Sequence, residues 1–201
     1  TDRKLMEGKF KRTAGILKDE LKKNPESIYY WYQLSVSYIM HGDSDKALQP
    51  ALNAYELVRK KKKDMSKYMY VYIQLVFAYF VNGKYRKTED TCIKALNIKD
   101  GYIDLYFYLA KAQMMLFKNH EALENYNIYL KMVFEDNKKQ MARDISVIHY
   151  TLGRFEEAYR DMSILYLRLD DYENAYEYIN KISSPKKLMN NSGILIYIFI
   201  K

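Results

Sequence analysis

Residues 31–54, WYQLSVSYIMHGDSDKALQPALNA, recur in outline as residues 72–95, YIQLVFAYFVNGKYRKTEDTCIKA. Trp31, Leu34, Tyr38, Ala47, Ala51 and Ala54 have the same internal spacing as Tyr72, Leu75, Tyr79, Thr88, Cys92 and Ala95. Tyr106, Leu109, Ala122 and Tyr126 form a third copy. The step from Trp31 to Tyr72 is 41 residues, and from Tyr72 to Tyr106 it is 34. A period in this range is the mark of a stacked helical array, because each unit buries its apolar face only against its neighbours.

Each copy reads as two antiparallel helices. In the first, Trp31, Leu34, Ser35 and Tyr38 recur at three- and four-residue steps, which is one helical stripe. His41-Gly42-Asp43 interrupts it, and Gly42 suits the left-handed conformation that ends a helix. Ser44 or Asp45 is placed to cap the next helix, whose face carries Ala47, Leu48, Ala51, Ala54 and Tyr55. Small residues there let two backbones approach while bulky partners fill the space alongside. Pro50 falls inside this second helix, which predicts a kink or a late helix start.

The same pattern gives repeats at about 28–61, 67–100, 102–135 and 138–169, after a half repeat at 1–25. The second unit pairs Lys67–Val81 with Tyr85–Leu96 across Asn82-Gly83. The third pairs Tyr102–Leu116 with His120–Val133 across Phe117-Lys118-Asn119, a corner without glycine. The fourth pairs Lys138–Thr151 with Phe155–Leu169. Gly8, Phe10 and Thr13 precede Gly42, Ser44 and Ala47 by 34 residues, so Asp2–Lys23 is expected to be the second helix of a unit whose first is missing. Ala175 follows Ala158 by only half a period, so Phe155–Leu169 can also open a fifth unit with Tyr172–Ile182. Residues 171–201 are expected to form a terminal helix or cap.

Composition narrows the function. The chain is 49% hydrophobic and 29% charged, the balance of a folded globular protein rather than a disordered one. Its net charge of +8 is concentrated in Arg59–Lys63, which reads as the solvated tip of an inserted loop, so nucleic acid is not the favoured partner. Cys92 is the lone cysteine, which excludes an intrachain disulfide and fits a cytoplasmic setting. The charged start is not a signal peptide, and the apolar run 194–200 is too short to span a bilayer. His41, His120 and His149 lack ligand spacing, so no metal is expected, and Cys92 sits at a small packing position without a basic helper. No residue set points to catalysis or to a cofactor.

The motifs WYQLSVSY, HGDSDKAL and ALNA, repeated as YIQLVFAY with NGKYRKTEDTCIKAL and more loosely as LYFYLAKAQ with NHEALENYNIYL and LGRFEEAY, resemble the tetratricopeptide repeat (TPR). Ser35 stands where that family has a glycine on its first helix. The resemblance implies an all-α, right-handed superhelical solenoid of antiparallel helix pairs and a non-catalytic role in binding protein or peptide. The order KFKRTAGILKDELKKNPES, YYWYQLSVSYIMHGD, GYIDLYFYLAKAQ is also similar to the helical C-terminal region of bacterial family-2 glycosyltransferases. That narrower likeness implies an accessory region, whose partner would be the parent chain's catalytic domain or a self-association partner. The alternative is a stand-alone adaptor or peptide sensor.

In the family, first helices line a concave groove, and in one subset Lys, Asn and Arg residues there grip a peptide carboxylate. The matching positions are Tyr29, Tyr32 and Val36; Tyr70, Ile73 and Phe77; Asp104, Phe107 and Lys111; and Gln140, Arg143 and Val147. The first two units offer no cation, so that clamp is absent. With Ile39, Phe80 and Met114 added, the row is an apolar, aromatic wall flanked by Lys111 and Arg143. Two readings stand: a partner-binding face, or side chains that the array buries in itself.

Overall fold

The computed structural model describes residues 3–61, 64–134 and 149–183. Those residues form α1 (Arg3–Lys23), α2 (Ile28–His41), α3 (Ser44–Lys60), α4 (Met69–Val81), α5 (Tyr85–Ile98), α6 (Ile103–Met115), α7 (Asn119–Phe134), α8 (Phe155–Arg168) and α9 (Tyr172–Asn180). A single 3-10 turn, Met65–Tyr68, leads into α4, where the periodicity predicts an α-helix from Lys67. The chain divides into two compact units, Thr1–Asp100 and Gly101–Lys201. In each, a helix packs on its chain neighbours, and the alternate helices α2 with α4 and α6 with α8 also touch.

The turns follow the glycine signals. Gly42 adopts φ 88°, its N–H reaching the Ile39 carbonyl at 3.0 Å while Asp43 N–H reaches that of Tyr38 at 2.9 Å. Gly83 repeats the arrangement at φ 67°. The corner after α6 uses the same geometry without glycine: Phe117 itself takes φ 60°. Its exposed ring lies 5.0 Å from the Arg168 guanidinium, which offsets part of the strain of an L-residue there. A Cβ added to Gly42 would meet nothing within 4 Å, so Gly42→Ala tests backbone conformation alone. It is expected to cost about 1–2 kcal/mol in urea unfolding.

Three local expectations are corrected. α3 starts at Ser44 and runs through Pro50, so there is no late start. The buried proline ring is kept at the cost of the one backbone bond its nitrogen cannot donate. Neither Ser44 nor Asp45 is the cap. Asp43 holds that position and makes no side-chain cap bond, its carboxylate instead taking Lys46 at 3.4 Å. The basic run is likewise not all loop. Arg59 and Lys60 form the last turn of α3, where the helix dipole favours cations. Arg59 pairs with Glu56, and Lys60 and Lys61 with Glu26.

The core of unit 1 is the crossing of small and large residues that the repeat implies. Ala47, Ala51 and Ala54 are sealed under α2 and α4. Ser35, the residue in glycine's place, uses its hydroxyl: it donates to the Ala47 carbonyl at 2.8 Å and accepts from Gln74 Nε2 of α4 at 2.8 Å. Ser163 of α8 repeats the first bond, donating to the Ala175 carbonyl of α9 at 2.8 Å. α8 therefore behaves as the first helix of a pair with α9. Ala47→Leu, which forces three extra carbons into the α2–α3 crossing, is expected to cost about 1–3 kcal/mol in the same assay.

Of the fourth pair's first helix, residues 138–148 lie outside the described residues. Residues 149–151 are not helical, because they are held by side chains of α6 and α7 instead. Thr151 N–H donates to Asp104 at 2.9 Å, and the Tyr129 hydroxyl donates to the Thr151 carbonyl. Asp171 caps α9 through Asn174 N–H, after Asp170 turns at φ 57°. The segment 186–201 lies outside the described residues.

Candidate interaction surface

The first-helix row divides by burial. Tyr32, Ile73, Phe107 and Met114 are buried. Val36, Ile39, Tyr70, Phe77 and Phe80 are half-buried. Tyr29 stands 57% exposed. Arg143 lies outside the described residues. Tyr32 meets Tyr70 edge to face at 4.8 Å, so much of the wall on α2 and α4 is helix-to-helix packing. Ile39 packs into the α1–α2–α3 cluster, and Phe80 lies 5.7 Å from Tyr85.

Lys111 is not a waiting cation. Its ammonium lies 2.6 Å from Glu157 and 2.8 Å from Asp161, both on α8. Arg154 closes on Glu157 at 2.6 Å and donates to the Tyr108 hydroxyl at 3.1 Å. Arg160 pairs with Asp161 at 2.9 Å, and the Tyr126 hydroxyl donates to Asp161 at 2.7 Å. Phe107 lies among these groups, with the Arg154 guanidinium 4.7 Å and the Lys111 ammonium 5.4 Å from its ring centre. Burial would raise the Glu157 carboxyl, but the Lys111 ammonium and then Arg154 outweigh it and hold it below its usual value of 4.5. A carboxyl lowered on folding adds stability above its unfolded value and loses it as pH falls through the lowered one. Unit 2 is therefore expected to lose stability on acidification below about pH 4.5, read as urea midpoints across pH, and Glu157→Gln should flatten that loss. Burial, and then the neighbouring Asp161, push the Tyr126 hydroxyl well up, so it remains a donor.

Other reactive side chains are also engaged in packing. Burial pushes the Cys92 thiol well up within α5. His41 stacks on Phe10 with ring centres 3.8 Å apart, and His149 meets Asp104 at 3.2 Å. Among the described residues, no group of three His, Cys, Asp or Glu side chains could hold a metal ion. No described helix is long and apolar enough to cross a membrane.

A groove lies at the α1 end of unit 1. Tyr29, Gln33, Val36 and Met40 recur at i, i+4, i+7 and i+11, one stripe of α2. Gln33, Val36 and Met40, with Phe10 and Thr13 of α1, line a groove of about 730 Å³. Met40 is 83% exposed there. The sequence reading missed Met40, Gln33 and Phe10. The helical step from Val36 to Met40 could have found the first, and the shared place of Gln33 and Gln74 in the repeat could have found the second.

No protein-family model matches the chain, and no curated protein matches it. Among solved structures it is similar to MamA, with TM-score 0.66 and 19% identity over 90% of each chain. It is similar to a thermophilic TPR protein in Thermus thermophilus, with TM-score 0.59 and 16% identity over 94% of this chain and 92% of that one. It is also similar to BtubC from P. vanneervenii, with TM-score 0.65 and 15% identity over 99% of this chain and 84% of that one. At such identities the shared feature is architecture, and the described helix pairs, their alanine crossings and their turns have the fold of a TPR solenoid.

Proposed function

We propose that this chain is a non-catalytic, cytoplasmic scaffold that recognises a protein or peptide through the row of first helices. The observation that carries this reading is the stripe Tyr29–Gln33–Val36–Met40, which ends in a strongly exposed methionine over a groove with both apolar and polar walls. Methionine adapts to varied apolar partners, and an exposed apolar stripe on a folded protein marks a contact surface. Tyr32, buried against Tyr70, packs the α2–α4 side of that stripe from beneath. The polar rim excludes neither sign of charge, so shape and apolar area decide the partner.

The scaffold reading is tested by placing a photoreactive benzoylphenylalanine at Tyr29, with the same residue at exposed Ile93 of α5 as the control. The expected result is a defined protein adduct from position 29, competed by excess unmodified chain and absent from position 93. Equal labelling at both positions, or none, overturns it.

The finer assignment rests on the sequence resemblance alone. On it, the chain is the accessory helical region of a bacterial glycosyltransferase, positioning an acceptor or mediating assembly. It predicts that the coding sequence ahead of Thr1 specifies a nucleotide-sugar-binding α/β domain. A helix-turn-helix DNA-binding module in that place would instead support a peptide-sensing adaptor.

A further inference from the structure

The basic run Arg59–Lys63 falls in the stretch that lengthens the first repeat from 34 to 41 residues. That stretch carries Arg59 in the last turn of α3 and Met65 at the start of the 3-10 turn, and both line a pocket of about 380 Å³. The floor is aromatic and apolar. Tyr72 of α4, buried, meets Tyr55 of α3 edge to face at 5.2 Å, with Met65 and Ile98 alongside. The rim is cationic and polar, with Arg59, Lys94 and Asn97 all exposed. Arg59 reaches Glu56 at 3.3 Å, but both ends of that pair are more than half exposed, so it contributes little and opens readily. Among the described residues Lys94 has no acidic partner. The Tyr72 hydroxyl donates to the Met65 sulfur at 3.1 Å. A thioether is a weak acceptor, so that hydroxyl gains by turning to a carboxylate. In the next repeat Asp100 and Ile128 stand at the places of Arg59 and Lys94, so the cation pair is not part of the repeat itself.

We propose that this pocket is a second docking site, which takes a glutamate side chain from an acidic segment of a protein partner. The methylenes of that side chain lie on Met65 and Ile98, and its carboxylate lies between Arg59 and Lys94. A planar guanidinium fork suits a carboxylate, and the Asn97 amide can donate to the same oxygens. Outside the pocket, Lys60–Lys63 outnumber the neighbouring acids Glu26 and Asp64. The corner therefore keeps a positive field that draws the acidic residues flanking the glutamate. A nucleic acid fits less well. Glu26 sits against Lys60 and Lys61, and Asp64 against Lys67, which breaks any continuous track for a phosphate backbone. The edge-to-face tyrosines leave no parallel slot for a base. The site is separate from the α2 stripe, none of whose residues lines it, so it adds a contact beyond the scaffold reading. Ile93 does not line it either, standing about 100° around α5 from Lys94.

The probe is hexaglutamate labelled at its N-terminus, titrated with the full chain in low salt and read by fluorescence anisotropy. Saturable binding is expected, weakened about tenfold by Arg59→Met and by Lys94→Met, each of which removes one charged hydrogen bond. Both positions are exposed, so the circular dichroism of the chain should not change. Lys22→Met, which takes the same charge from α1, should leave the affinity within about twofold. Glu56→Gln should tighten binding about twofold by removing the competing carboxylate. Hexa-aspartate, one methylene shorter at each position, should bind about fourfold more weakly. Absence of binding, equal affinity for the two peptides, or a loss from Lys22→Met as large as that from Arg59→Met overturns the proposal. So does an oligothymidylate of the same charge that binds more tightly than hexaglutamate and is weakened by Arg59→Met, which would give the pocket to nucleic acid.

Discussion

Phe107→Ala is expected to destabilise the protein by about 3–5 kcal/mol in urea unfolding, the loss typical of a large aromatic side chain removed from a closed core. Phe107 is fully buried. Its ring packs edge to face against Tyr108, Tyr126 and Tyr129 at centroid distances of 5.5, 6.0 and 5.1 Å. Two cations add to this, Arg154 and Lys111, each over the same ring. Truncation would leave a cavity beneath a charged cluster that cannot collapse without uncoupling its ion pairs. The measurement also separates the two readings of the first-helix row in unit 2. A partner-facing phenylalanine would lose little stability on truncation, so a cost below about 1 kcal/mol would show that this position faces a ligand.

Asp161→Ala is expected to cost about 2–4 kcal/mol. The Asp161 carboxylate is nearly sealed from solvent and meets Lys111, Arg160 and the Tyr126 hydroxyl at 2.7–2.9 Å. Its removal takes a counter-charge from a mostly buried ammonium and leaves a fully buried hydroxyl without its acceptor. Glu157 still faces Lys111, and Arg160 is partly solvated, which keeps the loss below that of an isolated buried charge. Tyr126→Phe removes only the hydroxyl and should cost about 0.5–1.5 kcal/mol. Because the pair is screened by protein rather than by salt, the Asp161→Ala deficit should persist in 1 M NaCl. A deficit that vanishes in high salt would place these charges at the surface.

The repeat made the architecture legible because its signals are local and periodic. Trp31–Tyr38 followed by Gly42 and Ala47–Ala54 encodes helix, left-handed turn and close crossing within 24 residues. The glycine-less corner at Phe117 was readable as a break. Its use of the left-handed conformation was not, since that conformation is imposed by the flanking helices against residue preference. Of the two outcomes expected at Pro50, a kink or a late start, the late start does not occur, because tertiary burial overrides propensity. The apolar wall was visible as a pattern, but periodicity marks a face without saying what covers it. Ile73 and Tyr29 share a stripe type, yet one is enclosed and the other open. The Lys111 cluster lay beyond reach, because its partners are 46 and 50 residues away and belong to a helix whose role as a first helix is set by the Ser163–Ala175 bond. What sequence reasoning could have found, the kinship of Gln33 with Gln74, became meaningful once the contact of the latter with Ser35 was seen.

The account of unit 1 turns on α4 being locked to α2 through the buried bond of Gln74 to Ser35. A double-mutant cycle of Ser35→Ala and Gln74→Leu in the full chain, measured by urea unfolding, tests this most directly. A favourable coupling of about 1–2 kcal/mol is predicted, because each side chain leaves the other's buried group unsatisfied when removed alone. Strictly additive losses would contradict it.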